Sequence, residues 1–420
     1  MDKRARPPNI EDMNTDTDIA IVGGGLGGTT LALALAQAGH NVALIEPKTE
    51  SIRKNARFDG RSYAIALASK RMLAAIGLWD ALADTAQPML EIKVTDGRAG
   101  EGPSPFFMHF DHAEIEDGPM GFMIEDRHLR RALLDAVKGE ANIQSLTGRS
   151  VTGQEVNAAS ITLTLDDATT LSAKLVVGAD GRTSGTAQRA GIGRTEWGYD
   201  QTALVCAIAH EKPHNGIAHQ FFMPPGPLAI LPLTDNRSSI VWSETSDDAA
   251  RINALPDADY LDHLRPRFGS FLGEISLAGK RFTYPLGLSL AKSLVAPRVA
   301  LVADAAHGVH PIAGQGLNAG LRDVAALTEV LTDAKRRGED IGSETVLAAY
   351  QQWRRFDTAT LAMATDGFNR LFSNDNPLLR FARDIGMGAI QAIPALRRGF
   401  IREAAGLTGD VPKLMSGRPL

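Results

Sequence analysis

The chain has 420 residues, enough for two or three structural units. With 44% hydrophobic and 22% charged residues it is globular in composition and has apolar material for a large core. A net charge of -5 gives no general attraction to nucleic acid, and the single cysteine excludes an internal disulfide framework and a cysteine-rich metal site. That cysteine, Cys206, lies in the apolar run TALVCAIA and reads as a buried strand residue rather than a nucleophile.

The N-terminal stretch MDKRARPPNIEDMNTDTD lacks the apolar centre of a secretory signal. Its acids Glu11, Asp12, Asp16 and Asp18 argue against a mitochondrial presequence, so residues 1–17 are expected to be a disordered tail. No apolar run reaches the roughly 18 residues of a membrane-spanning helix. From Asp18 the chain reads strand, glycine-rich turn, helix, strand: DIAIV, GGGLGG, TTLALALAQAG, NVALIE. Both strands are continuously apolar, as strands buried in a parallel sheet are. The spacing of Leu73, Ile76 and Leu82 predicts an amphipathic helix over 69–83, and a second is expected over 126–138. AKLVVGAD, residues 173–180, is a short apolar strand ending in a carboxylate. Residues 201–245 change character, with strand-like runs broken by proline and glycine, and suggest a mostly antiparallel second domain. RVALVA, residues 298–303, returns to the buried-strand pattern; a helix is expected from about Leu317 to Lys335, and the chain after about 345 reads as helical to near its end.

Three places carry chemistry. Gly23, Gly25 and Gly28 form G-x-G-x-x-G, with Leu26 in the turn, directly after a strand and at a helix start. The first glycine permits the tight turn, the second lets a pyrophosphate approach the backbone, and the third seats the helix on the sheet. The free N–H groups of the helix start then favour phosphate. Glu46 ends the next strand, where a carboxylate accepts bonds from ribose hydroxyls. Together these point to a dinucleotide site without separating one dinucleotide from another. The second place is VVGADG, where Asp180 and Gly181 end a strand at a sheet edge; an ordinary Asp-Gly turn reads the same way. The third is ALVADAAHGVHPIAGQGLNAGLRD, residues 300–323. Asp304 ends an apolar strand, and a glycine-rich loop leads to a helix start at Gly316, Leu317 and Asn318 that can stabilise negative charge on a ligand. His307 and His310 invite a zinc reading, but their i, i+3 spacing in a Pro/Gly loop without a third ligand argues against it.

In this order and at these separations the three places resemble the para-hydroxybenzoate-hydroxylase-like flavoprotein monooxygenases, over about residues 18–409. More narrowly the chain resembles their ubiquinone-biosynthesis, or polyprenyl-phenol, hydroxylase branch. Four stretches carry that: DGRSYAIALASKRMLAAIGLW (59–79), GPLAILPL with IVWSE (226–244), HPIAGQGLNAGLRDVAAL (310–327) and YQQWRRFDTATLAMATDGFNRLFS (350–373). The resemblance implies an α/β fold: a Rossmann-like FAD domain of the GR2 flavoprotein type, an inserted, mostly antiparallel β-sheet substrate domain, and C-terminal helices. Residues 18–90, 120–200 and 285–345 are expected to form the FAD domain, 91–119 and 201–284 the substrate domain, and 346–420 the helical region.

The resemblance also implies roles. Arg61 is similar to the arginine near flavin and pyrophosphate, and Asp304 to a ribityl or phosphate ligand. Pro311, Gly314, Gln315, Gly316, Leu317 and Asn318 resemble the loop against the isoalloxazine ring. Val151 is expected beside the adenine, while Asp180 and Gly181 resemble the motif shared by FAD and the nicotinamide cofactor. Asp126 is placed among the cofactor contacts, although Asn, Gln or Arg is usual there and a carboxylate accepts rather than donates. Ala303 stands where Gly is usual before the Asp, and Ala187 where an Arg is usual. Pro227, Leu228, Leu231 and Pro232 are expected near the substrate cavity.

The implied reaction uses NADH or NADPH as a transient donor, reduces FAD, and passes oxygen from O2 to a phenolic ring through a C4a-hydroperoxyflavin. No catalytic acid or base is assigned, because the cofactor carries the hard chemistry. The substrate class is a phenol, in this branch a polyprenylated one. A hydroxylase of another phenolic metabolite, a geranylgeranyl-reductase-like enzyme and a non-catalytic FAD-binding scaffold subunit compete with this reading. A cytoplasmic protein is expected. Residues 378–402, LLRFARDIGMGAIQAIPALRRGFIR, mix apolar residues with arginine and suggest peripheral contact with the inner face of a bacterial membrane or a biosynthetic complex.

Overall fold

The computed structural model describes residues 16–54, 57–98, 102–115, 117–224, 226–308, 315–355, 357 and 391–420. The elements that position the site are, in chain order, β1 (Thr17–Val22), α1 (Leu26–Gln37), β2 (Val42–Glu46), α2 (Asp126–Gly139), β3 (Thr170–Gly178), β4 (Arg194–His210), β5 (Leu228–Leu233), β6 (Arg237–Thr245), β7 (Phe282–Ala291), β8 (Val299–Leu301), α3 (Gln315–Arg336) and α4 (Pro394–Ala404).

Strand β1 is apolar on both faces because it is the middle of a parallel sheet. It pairs with β3 on one side (Ile19 opposite Leu175) and with β2 on the other (Ile19 opposite Val42). Beyond β3 comes β8, and beyond β2 the strand Ile143–Thr147, both parallel. All these strands run the same way, so the loops after β1, β2, β3 and β8 leave one edge, where ligands of open α/β sheets bind. The core cluster of this sheet includes Ile19, Leu31, Leu44, Val176 and Leu301, and takes in α1 and α3 through Leu33 and Leu327.

A second sheet is nine-stranded and centred on β4, which pairs antiparallel with β6 (Val205 opposite Val241) and with β7 (Ala203 opposite Tyr284). Strand β5 follows β6, and the strands Ile217–Phe222, Glu91–Arg98, Gly102–Asp111, Ile275–Leu277 and His307–Gly308 complete it. The one parallel pair in it joins Ile217–Phe222 to Glu91–Arg98. One face is packed by helix Asp257–Phe268 in a cluster holding Trp242, Tyr260 and Leu264. Cys206 belongs to this cluster, fully buried, and burial pushes its thiol up to about 12. The sheet is thus closed to nucleophilic chemistry at its only sulfur of that kind. A three-stranded sheet of Ser62–Ala66, Gln87–Met89 and Gly121–Glu125 sits between the two.

The structure shortens one expected helix. The 69–83 segment is helical only over Leu67–Ala75. Gly77 takes φ +73°, and the N–H groups of Gly77 and Leu78 close back on the carbonyls of Ala74 and Leu73, a Schellman stop. Leu73, Ile76 and Leu82 are nonetheless all buried, so the apolar spacing reports burial beyond the helix end. Strand β1 starts at Thr17, one residue before the expected start; residues 1–15, where the tail was expected, lie outside the described residues. Residues 344–355 and α4 are helical, whereas 405–420 hold only a short turn at Leu414–Ser416.

Just after α1, His40 is completely buried, with neither ring nitrogen hydrogen-bonded among the described residues. Burial, reinforced by Lys335, pushes its imidazole down to about 4, against the opposing charge of Asp18. The folded state therefore binds this proton later than the unfolded chain, and stability is lost as pH falls from about 6.5 to about 4. His40→Leu is expected to flatten that acid limb by roughly 2–3 kcal/mol while leaving stability at pH 8 unchanged or raised. Denaturant titrations at pH 8, 6 and 4.5 check this; an unaltered acid limb in the variant would rule out His40 as its source.

Candidate functional site

The glycine turn is fixed by what cannot be added to it. Gly23 has φ +106°, and a Cβ there would stand 2.4 Å from the Ala179 carbonyl oxygen; one at Gly28 would stand 1.9 Å from the Gly23 carbonyl oxygen. A Cβ at Gly25, by contrast, meets nothing within 4 Å. Gly25 caps α1 without any side-chain hydrogen bond, and no acid lies in the first turn. The first-turn N–H groups are thus left for an anionic ligand, with open space in front of them. This fits the pyrophosphate of a dinucleotide.

Around the turn the charges are set. Glu46 is buried; its Oε2 accepts the Gly24 N–H at 2.7 Å and its Oε1 the Lys48 N–H at 2.9 Å. The carboxylate braces the loop and keeps lone pairs for ribose hydroxyls. Arg53, which the sequence reading passed over, is buried at the same place and donates to the Gly24 carbonyl and to Thr29 Oγ1. Burial pushes its guanidinium down and Glu46 opposes that. The only signal in the sequence was its place in a short helix, Glu50–Arg53, just after the strand-ending acid.

Arg61 binds Asp59 through Nε (3.0 Å) and Nη2 (2.7 Å), reaches Asp126 at 3.4 Å, and lies 5.7 Å over the Phe282 ring. Asp126 opens α2, where the helix dipole favours an anion. It also accepts from Arg130 at 2.7 Å and from the Tyr63 hydroxyl at 3.3 Å. The carboxylate is held by the protein's own donors, which explains how an acid stands where an amide or a cation is usual. Asp180 likewise turns into its own loop. It accepts from the Ser184 hydroxyl and from the N–H and hydroxyl of Thr186, both at 2.9 Å. Val151 is half-buried and its carbonyl accepts from Arg189 at 3.3 Å. Ala187 is buried, so the arginine of this loop is displaced two residues along, to Arg189, near Asp180.

The three motifs touch. A Cβ at Gly23 would come 2.8 Å from Asp180 Cα, one at Gly27 3.2 Å from Ala303 Cβ, and one at Gly308 3.0 Å from Arg182 Nε. Asp304 is exposed at the head of its loop, with no hydrogen bond to its carboxylate among the described residues. Gly316 opens on free space, Leu317 packs against the main core, and Gln315 donates to the Ala404 carbonyl at 3.4 Å. Asn318 is buried and bridges the Ala64 carbonyl and the Ala66 N–H, both at 2.9 Å, so its amide ties α3 to the small sheet. Pro311, Gly314 and His310 lie outside the described residues. His307 is paired with Asp323 at 2.6 Å, and no cluster of three metal-ligating side chains occurs among the described residues.

The expected cavity residues divide across the sheet. Leu231 lies on the side of Phe58 and Ala64, facing the small sheet, and Leu233 with it. Leu228 is fully buried on the other side, with Trp242 and Tyr260 under the helices, and Pro232 shares its parity on the strand. Alternation along β5 therefore puts Leu228 on the face opposite Leu231. Pro227 is buried at the start of β5, its carbonyl accepting the Ser243 N–H at 2.9 Å.

Ala303 carries a strain of its own: φ is +54°, a left-handed value that costs an alanine about 1–2 kcal/mol. Its methyl occupies room left by Gly27 and Gly320; a Cβ at Gly320 would stand 2.9 Å away. Gly320→Ala is expected to destabilise by about 1–3 kcal/mol through this clash. In an Ala303→Gly background the same change is expected to become neutral or stabilising, by up to about 1 kcal/mol of helix propensity. A double-mutant cycle by urea denaturation reads the coupling; strictly additive costs would show that the two methyl groups do not compete.

The chain is similar to known proteins in sequence and in fold. The sequence model of the FAD binding domain family matches residues 16–364. The ubiquinone hydroxylase UbiL of Rhodospirillum rubrum is 46% identical over 406 residues, covering 96% of this chain and 93% of that protein. The 3-demethoxyubiquinol 3-hydroxylase of Escherichia coli is 36% identical over 397 residues, covering 94% and 100%. Among solved structures, p-nitrophenol 4-monooxygenase from Pseudomonas putida superposes with a TM-score of 0.78 over 94% of this chain and 99% of that one, at 19% identity, a likeness of fold. With the glycine turn, the Asp180 loop and the Asp304 loop in mutual contact, and the family match spanning most of the sequence, the chain belongs to the FAD binding domain family of flavoproteins.

Proposed function

We propose that the chain is an FAD-dependent aromatic hydroxylase of ubiquinone biosynthesis, acting on a polyprenylated phenol with O2 and with NADH or NADPH as transient donor. The observation that carries this is the contact of three cofactor-type loops at one sheet edge, in a chain 46% identical over 406 residues to a ubiquinone hydroxylase. When bound, the flavin supplies hydride acceptance and oxygen activation. The protein's part is binding, orientation and exclusion of water. The α1 start receives the pyrophosphate, Glu46 the ribose, and Asp304 the ribityl chain or a phosphate. Arg61, held by Asp59 and Asp126, keeps a fixed cation beside Phe282 on β7, where the second sheet meets the FAD unit. Leu231, on the face of β5 turned toward the small sheet, supports a substrate cavity there.

Two measurements test the reading. Glu46→Ala and Asp304→Ala are each expected to weaken FAD binding about tenfold or more, since charged hydrogen bonds are typically worth ~1.5–3 kcal/mol. Unchanged affinity in both would refute the site. The holoprotein should also consume NAD(P)H and O2 in proportion to hydroxylated phenol; a yellow protein that neither NADH nor NADPH reduces, whatever phenol is present, would instead be a scaffold subunit.

We further propose peripheral contact with an anionic membrane through α4. Ile393, Leu396 and Phe400 recur at helical spacing and are 46%, 48% and 41% exposed, an apolar stripe with no cover among the described residues. Arg397 and Arg402 are engaged with Glu114 and Asp117, which leaves Arg398 as the helix's basic residue without an ion pair among the described residues. Arg380, Arg383 and Asp384 lie outside the described residues. Among the described residues no helix is long and apolar enough to cross a membrane. Wild type should float with anionic liposomes at low salt, and Ile393→Ser/Leu396→Ser/Phe400→Ser should not. Equal flotation of the two would clear α4 of this role.

A further inference from the structure

The loop that presents Asp304 is gripped from two sides by charges, one buried and one half-buried, that neither the glycine turn nor the proposed reaction uses. On one side stands Asp323, in the middle of α3 and completely buried. Its Oδ2 accepts the Ala303 N–H at 3.0 Å and the His307 Nε2–H at 2.6 Å. A single carboxylate oxygen therefore holds the residue before Asp304 and a residue three after it. Its Oδ1 accepts from Arg354 Nε at 2.8 Å, and Arg354, 2% exposed, also binds Asp357 at 2.7 Å. Burial alone would raise the Asp323 carboxyl, but His307 and Arg354 hold it below the usual carboxylate range. On the other side Arg194, at the start of β4, donates through Nη1 to the Ala305 carbonyl at 2.5 Å and through Nη2 to the Asp304 carbonyl at 3.3 Å. Its Nε is fixed on Ser289 Oγ at 2.8 Å.

The N–H at the head of the loop thus meets an anion and the carbonyls at its crown meet a cation. Both charges are themselves anchored, one to the 344–355 helix and one to β7. The loop needs such a clamp, because Ala303 is in a left-handed conformation that an alanine does not hold unaided. Asp304, the residue between the two grips, is exposed and is not held through its own carboxylate. What fixes its position acts on its own carbonyl, on the backbone of Ala303 and Ala305, and on the His307 side chain.

We propose that Asp323 is a positioning residue for FAD binding, fixing the Asp304 loop in its cofactor-ready form through Ala303 and His307, with Arg194 as its counterpart on the carbonyl side. The inference rests on the proposed role of Asp304. It predicts energetic coupling between Asp323 and Asp304, residues joined only through the backbone of the loop. A carboxylate that merely stabilised α3 would weaken the fold without that coupling.

The test is FAD affinity of the full-length protein, by fluorescence titration after flavin removal, at a temperature where circular dichroism shows each variant folded. Asp323→Asn should raise the FAD Kd by about tenfold or more in the wild-type background, and by less than about twofold when Asp304 is already Ala. His307→Gln, which leaves the Asp323–Arg354 pair in place, should show the same pattern and serves as the readout should Asp323→Asn fail to fold. An equal rise in both backgrounds, or none in either, overturns the positioning role and leaves the site reading intact. An unchanged Kd in Asp304→Ala alone overturns the site reading and this inference together.

Discussion

The structure depends on two places where backbone meets backbone with nothing between. Gly28 lies against the Gly23 carbonyl, and Gly23 against Ala179, at distances that a methyl group would fill. These approaches set how far α1 sinks onto the sheet, and so where its first turn opens. The loops after β3 and β8 are then brought against that turn, through Gly23 with Asp180 and Gly27 with Ala303. If α1 were lifted by the width of one side chain, the three loops would no longer share a surface. The cost of close approach is thus concentrated in a few residues with no side chain, and the surrounding core of Leu31, Ile19 and Val176 is ordinary apolar packing.

Charge is handled in the opposite way, by enclosure with a partner. Glu46, Arg53 and Asp323 are buried, and each hydrogen-bonds the backbone of a loop; Asp126 is buried too, held by the side chains of Arg61, Arg130 and Tyr63. A buried ion pair is weak as a source of stability, because desolvation offsets the attraction. Its usefulness here is geometric: once the charge is inside, only one arrangement of the neighbouring N–H and carbonyl groups satisfies it. The pairs therefore act as constraints on loops whose sequence, rich in Gly and Ala, would otherwise permit many shapes.

How much of this could be read from the residues follows from the distance along the chain over which each feature is written. Gly23, Gly25, Gly28 and Glu46 declare themselves because strand, turn, helix and acid fall within a single unit. The parallel strands were legible for the same reason, since burial on both faces removes the alternation of an exposed strand. Arg53, Arg194 and Asp323 were not legible, because their partners lie 29, 111 and 31 residues away and nothing local marks them. LAILPL gives no sign of which parity faces the helices; the pairing of β5 with β6 puts Leu228 on that face and Leu231 on the other. The helix expected to reach 83 ended at Ala75 because burial and helicity share a period, and Gly77 ends the one without ending the other.

Strand β4 has 17 residues and is interrupted once, by a bulge between Gly198 and Gln201 where Asp200 takes φ +54°. From Gln201 to Val205 it is held on both sides, by β6 and β7, and at Ile208 and Ala209 by β6 and the strand Ile275–Leu277; before Gly198 it is held by β7 alone. The segment Arg194–Gly198 is therefore bonded along one edge only, to β7, and β7 pairs on its other edge with His307–Gly308 of the Asp304 loop. Extended backbone resists stretching. In mechanical terms the segment is a strut, pinned at its tip by Arg194, that fixes the separation between the bulge and the Asp304 loop.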